Sequence, residues 1–139
     1  KIAALYAIWQ IIGGLCGTLL AHLMFEQTVW QTSAHMRSGM AQYGSEFVAT
    51  FGLLAVIFGG ICYRQTAVPW LVGLYITAAY WFTASTSFAN PAVTIARSFT
   101  DSFSGIFPGD MPFFIIAQML AAAAASLVCG WLFADQSVK

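Results

Sequence analysis

The chain has 139 residues, 60% hydrophobic and 16% aromatic, and carries only five Lys or Arg and five Asp or Glu. A soluble domain devotes about a quarter of its residues to charge, so 7% excludes one and marks a membrane protein. Zero net charge removes the clustered positive field that a nucleic-acid binder or a polybasic membrane-surface anchor needs.

The uncharged stretches set the elements. About 20 apolar residues at about 1.5 Å each cross the roughly 30 Å of hydrocarbon. The 24 residues between Lys1 and Glu26 therefore predict a first helix over 3–25. Lys1 stands where a start would have Met, and no leader pattern precedes this segment, so a longer parent chain is expected. A polar outer loop over 26–43 follows. The 17 uncharged residues between Glu46 and Arg64 predict a second helix over 44–62.

The next gap, from Arg64 to Arg97, holds 32 residues, about 48 Å as one helix, and it contains Asn90-Pro91. It must break. Pro69 suits the first turn of a helix, where its missing N–H is not needed, which predicts a third helix over 68–85. The small, polar run Ser85 to Ala89 leads to Asn90, placed as an N-cap, and Pro91, placed at the first helical position. A loop and short helix are expected over 86–101, with the helix reaching about 15 Å and unable to span. A last helix is predicted over 111–133, inside the 24 uncharged residues between Asp110 and Asp135.

Irregular backbone at membrane depth is tolerated only when buried in protein or lining a wet cavity. A half-helix starting near the midplane thus implies a site at its N-terminus. The alternative is a short interfacial helix outside the bilayer. The expected fold class is an all-α membrane protein of four transmembrane helices plus one re-entrant half-helix, forming a single domain over 1–139.

Asn90-Pro91-Ala92 resembles the signature of the aquaporin family, the major intrinsic proteins, in its bacterial-type, relaxed-filter or aquaglyceroporin-like members. Its surroundings strengthen the likeness: Thr86-Ser87-Phe88-Ala89 before it, Val93-Thr94 after it, and Glu46-Phe47-Val48-Ala49-Thr50 at the start of the preceding helix. A repeat supports it too. Tyr6 to Gly14 aligned with Phe114 to Ala122 superposes Gln10 on Gln118 as a buried pair. Small residues spaced by four, Gly13, Gly17 and Ala21 or Ala121, Ala125 and Cys129, suggest close-packing faces.

The resemblance implies the C-terminal part of a six-helix inverted-repeat channel, with the first two helices and first signature absent. It implies a bacterial inner-membrane, multi-pass location, a lipid bilayer as partner, a homotetramer, small neutral solutes as cargo and no nucleic acid. Its orientation puts Lys1, Arg64 and Lys139 inside and Arg37 and Arg97 outside. It implies that Asn90, Pro91 and Ala92 form the pore signature, that Thr86, Ser87, Phe88 and Ala89 offer pore carbonyls, and that Glu46 braces the loop. Glu46 at the water interface stays open as the alternative.

At the implied selectivity filter the chain departs from water-selective members. Val93 stands where they have an arginine, Ala78 where they have a histidine, and Ser87 is small. A wider, less polar filter follows. Arg97, one helical turn beyond Val93, has three readings: a filter residue reaching back, a partner of Asp101, or an anchor at the headgroups. The expected function is passive passage of water and small neutral solutes, glycerol-like or metalloid hydroxides such as arsenous acid. The alternative is a noncatalytic membrane scaffold or adhesion subunit on the same fold.

Neither cofactor, metal nor catalysis is expected. His22 and His35 do not form a facing pair. Cys16, Cys62 and Cys129 are odd in number, lack a Cys-x-x-Cys pair and suggest buried small hydrophobes.

Overall fold

The structure, a computed structural model, describes residues 2–134. The terminal Lys1 and Lys139 and the acid Asp135 lie outside the described residues. Among the described residues, the regular elements are all helical. They are α1 (Ile2–Met24), α2 (Met40–Tyr63), a 3₁₀ turn (Gln65–Ala67), α3 (Val68–Phe82), α4 (Pro91–Arg97) and α5 (Met111–Leu132). Three of them, α1, α2 and α5, are long and apolar enough to cross a membrane. α3 has 15 residues, about 22 Å.

The chain forms two compact units, the first from the described part of Lys1–Ser38 with Asn90–Ile115, the second from Gly39–Ala89 with the described part of Ile116–Lys139. In the first, α1 packs on α4. The close approach is made by Gly14 and Thr18, not by the expected Gly13 and Gly17. A Cβ at Gly14 would lie 3.0 Å from Ala96 Cβ, whereas one at Gly13 or Gly17 would meet nothing within 4 Å. Thr18 bonds the Gly14 carbonyl at 3.0 Å and reaches the Ala96 carbonyl at 3.5 Å.

In the second unit, α2 and α3 pack as a hairpin. Near its turn Gly60 leaves room for α3: a Cβ there would lie 2.8 Å from Val68 Cγ2. Further along, Tyr75 donates to the Ala49 carbonyl at 3.0 Å across the space that Gly52 leaves. α2 starts at Met40, four residues before the expected 44, because the chain turns at Gly39, whose φ of 110° favours glycine. α3 ends at Phe82 instead of 85. There Thr83 goes extended, and both its N–H, at 3.1 Å, and its hydroxyl, at 2.7 Å, bond the Ala79 carbonyl.

Two further expectations are corrected by burial. Gln118 is buried but Gln10 is exposed. Cys129 is buried, whereas Cys16 and Cys62 are exposed, so apolar surroundings in sequence did not mean an inward position. Exposed Cys16 belongs to a helix whose large apolar side chains, among them Leu5, Trp9 and Leu20, are themselves exposed.

Candidate functional site

The loop after α3 belongs to the second unit and is built on unusual backbone. Thr86, Ser87 and Ala89 have φ of 60°, 48° and 50°, the left-handed region that costs a non-glycine residue roughly 1–2 kcal/mol each. Such a conformation persists when the surroundings over-determine it. Glu46 does so. Its side chain is fully buried, and its carboxylate accepts the N–H of Phe88 at 3.2 Å, the N–H of Ala89, and the side-chain amide of Gln118 at 2.9 Å. Three donors around one carboxylate compensate a charge that would otherwise be costly to bury. At the start of the loop, Ala84 N–H is held by the Ser45 hydroxyl at 3.2 Å.

Asn90 opens α4 in the first unit. Its backbone is extended, with φ −158° and ψ 126°, and its Oδ1 accepts the Ala92 N–H at 2.8 Å. The Asn90 carbonyl receives both the N–H and the hydroxyl of Thr94 at 3.0 Å. Because a backbone N–H can only donate, the amide oxygen must face Ala92, and Nδ2 points elsewhere. It donates to Gln10 Oε1 at 3.3 Å. Pro91 takes the first helical position, where no N–H is missed.

The four expected filter residues fall in different places. Ala78 is exposed on α3 and Ser87 is buried in the loop, both in the second unit. Val93 and Arg97 lie half-buried on one face of α4, in the first. Asp101, the possible partner of Arg97, accepts the Ala34 N–H at 2.9 Å.

One buried cluster escaped sequence reasoning. Arg37, expected simply in the outer loop, is 4% exposed. Its Nε donates to the Gly105 carbonyl and its Nη2 to the Phe103 carbonyl, both at 2.7 Å, while its N–H donates to Asp110 Oδ2 at 2.8 Å. A Cβ at Gly105 would overlap the Thr100 carbonyl and the Ser33 hydroxyl, so only glycine fits. An arginine and an aspartate in otherwise charge-poor loops were the sole sequence signal.

Long apolar helices with few charges define a multi-pass membrane protein. The chain is 60% identical over 129 residues, 93% of its length, to the aquaglyceroporin AqpS of Rhizobium meliloti (strain 1021). It spans 55% of that relative's length. No family model and no solved structure matches the chain. On the strength of the relative, the chain belongs to the aquaporin, or major intrinsic protein, family.

Proposed function

We propose that the protein forms a passive channel for water and small neutral solutes and is not an enzyme. The observation that carries this reading is Asn90. Its oxygen is used in capping α4, which leaves an oriented N–H donor at a helix N-terminus, a place that repels cations and offers a hydrogen bond to a neutral solute. The left-handed loop backbone supports Thr86, Ser87, Phe88 and Ala89 as sources of carbonyl acceptors. Donor and acceptor groups together replace solvent without charge. Glu46 braces that loop in this reading.

The solute class follows from the filter positions. Ala78, Ser87 and Val93 present small or aliphatic groups, with Arg97 one turn beyond Val93, so the path admits more than water. The similarity to a relative named an aquaglyceroporin supports glycerol-like solutes. Metalloid hydroxides such as arsenous acid share their size and neutrality. A homotetramer in the bilayer is proposed as the assembly.

The test is reconstitution of the intact protein in liposomes, with water, glycerol and arsenous acid flux measured by stopped-flow scattering and uptake. All three are expected to pass. Water conduction with no larger solute would overturn the wide filter. Absence of any flux above empty vesicles would overturn the channel and favour a scaffold.

A further inference from the structure

The peptide group joining Gly105 to Ile106 is held at both ends. Its oxygen accepts from Arg37 Nε at 2.7 Å, and its N–H donates to the Arg97 carbonyl at 3.2 Å. The planar guanidinium is a rigid fork. With Nη2 also on the Phe103 carbonyl at 2.7 Å, it fixes the direction of both carbonyls at once.

This matters because of what Arg97 ends. α4 has seven residues, and isolated helices under about 12 residues are marginal in water. The last carbonyls of any helix lack partners within it. Here they find them outside. Ile106 N–H serves Arg97, Ser33 N–H serves the C-cap Ser98 at 3.0 Å, and Phe99 N–H serves Ala96 at 3.1 Å. The strap that supplies Ser33 is pinned along its length. Ala34 N–H bonds Asp101 Oδ1 at 2.9 Å, Asp101 N–H bonds Gln31 Oε1 at 2.9 Å, and Phe107 N–H bonds the His35 carbonyl at 2.7 Å.

We propose that Arg37 is a positioning residue for the solute path. Through the Gly105–Ile106 peptide it sets the end of α4, and with it the places of Val93 and Arg97, so the strap over 31–37 tunes which solutes pass. The proposal rests on the channel reading above. Arg37 touches no solute in this scheme. A lysine at 37 keeps the charge but replaces the fork with a single ammonium, which does not fix two carbonyl directions.

The intact protein is compared as wild type, Arg37→Lys and Asp101→Ala. The second variant removes the acceptor of Ala34 N–H from the exposed side and leaves the buried guanidinium in place, so it serves where Arg37→Lys does not fold. Hydrogen exchange of peptides covering 94–98 is expected to quicken about tenfold in either folded variant, while α2 and α3 peptides stay unchanged. The glycerol-to-water flux ratio per folded protein is expected to shift by about threefold. Unchanged exchange overturns the proposal. Faster exchange with an unchanged ratio makes Arg37 a structural residue only and also overturns it. Absence of wild-type flux overturns the channel reading and this proposal with it, whereas wild-type flux with an unaltered ratio overturns this proposal alone.

Discussion

Gln118 donates its side-chain amide to the Glu46 carboxylate at 2.9 Å where both residues are buried. Gln10, which aligns with Gln118 in the sequence repeat, accepts from the Asn90 amide at 3.3 Å. Each glutamine thus bonds a residue bearing on the loop or the half-helix within its own unit. The two glutamines differ in burial and in direction: Gln118 donates, whereas Gln10 accepts.

Glu46→Gln keeps the shape but replaces one accepting oxygen with an NH₂ that faces donors. A buried donor without an acceptor costs about 1–3 kcal/mol, and Glu46→Ala should cost more because the N–H groups of Phe88 and Ala89 then lose their acceptors. Thermal unfolding in detergent is expected to rank wild type above Gln above Ala. Equal midpoints would mean that the loop holds itself.

Asn90→Asp separates the two uses of one side chain. The oxygen that caps Ala92 N–H survives, so stability should stay within about 1 kcal/mol. The N–H donor to Gln10 disappears, and on the channel reading solute flux should fall severalfold. Flux at the wild-type level would remove Asn90 from the path.

Ala89 sits at φ 50°, where a β-branched residue is a genuine outlier. Ala89→Val is expected to lose about 2 kcal/mol or more, while Ala89→Gly should stay within about 1 kcal/mol, since relief of strain offsets the freedom gained by the unfolded chain. Unfolding midpoints of the two variants give the comparison directly.

A methyl at position 52 would collide with the Tyr75 hydroxyl. Gly52→Ala should therefore cost about 1–3 kcal/mol by overpacking. Tyr75→Phe removes the nearer part of that clash, the oxygen, and leaves ring carbon Cζ 2.8 Å from the methyl. The double variant should be more stable than the sum of the two losses predicts, by about 0.5 kcal/mol or more in a double-mutant cycle.

Val93→Arg places a long charged side chain at the expected filter position. On the channel reading, glycerol and arsenous acid flux should drop at least about tenfold while water flux falls less. Unaltered selectivity would show that residue 93 does not line the path.

The order of helices was legible because charges are scarce, and the start of α4 because asparagine followed by proline has one low-energy meaning at a helix N-terminus. The packing face of α1 was not legible. Gly13 and Gly14 are adjacent, so spacing by four fits two neighbouring faces equally, and the one used continues into Thr18, which a search for small apolar residues passes over. The Arg37 cluster was hidden for another reason. Its bonds join residue 37 to residues 103, 105 and 110, and contacts across such separations leave no periodicity to read. The proposed filter positions rest on resemblance, since Ala78, Ser87 and Val93 are chemically too plain to identify themselves.

The double commitment of the Asn90 amide narrows what position 90 can hold. Serine, threonine or aspartate would keep an oxygen at capping distance but bring no N–H donor on the same flat group. Glutamine carries both atoms, yet an extra methylene moves them outward from the backbone they serve. Glycine or alanine supplies neither. Asparagine meets both demands from one flat group at capping distance, so each of these replacements gives up the cap, the donor or both.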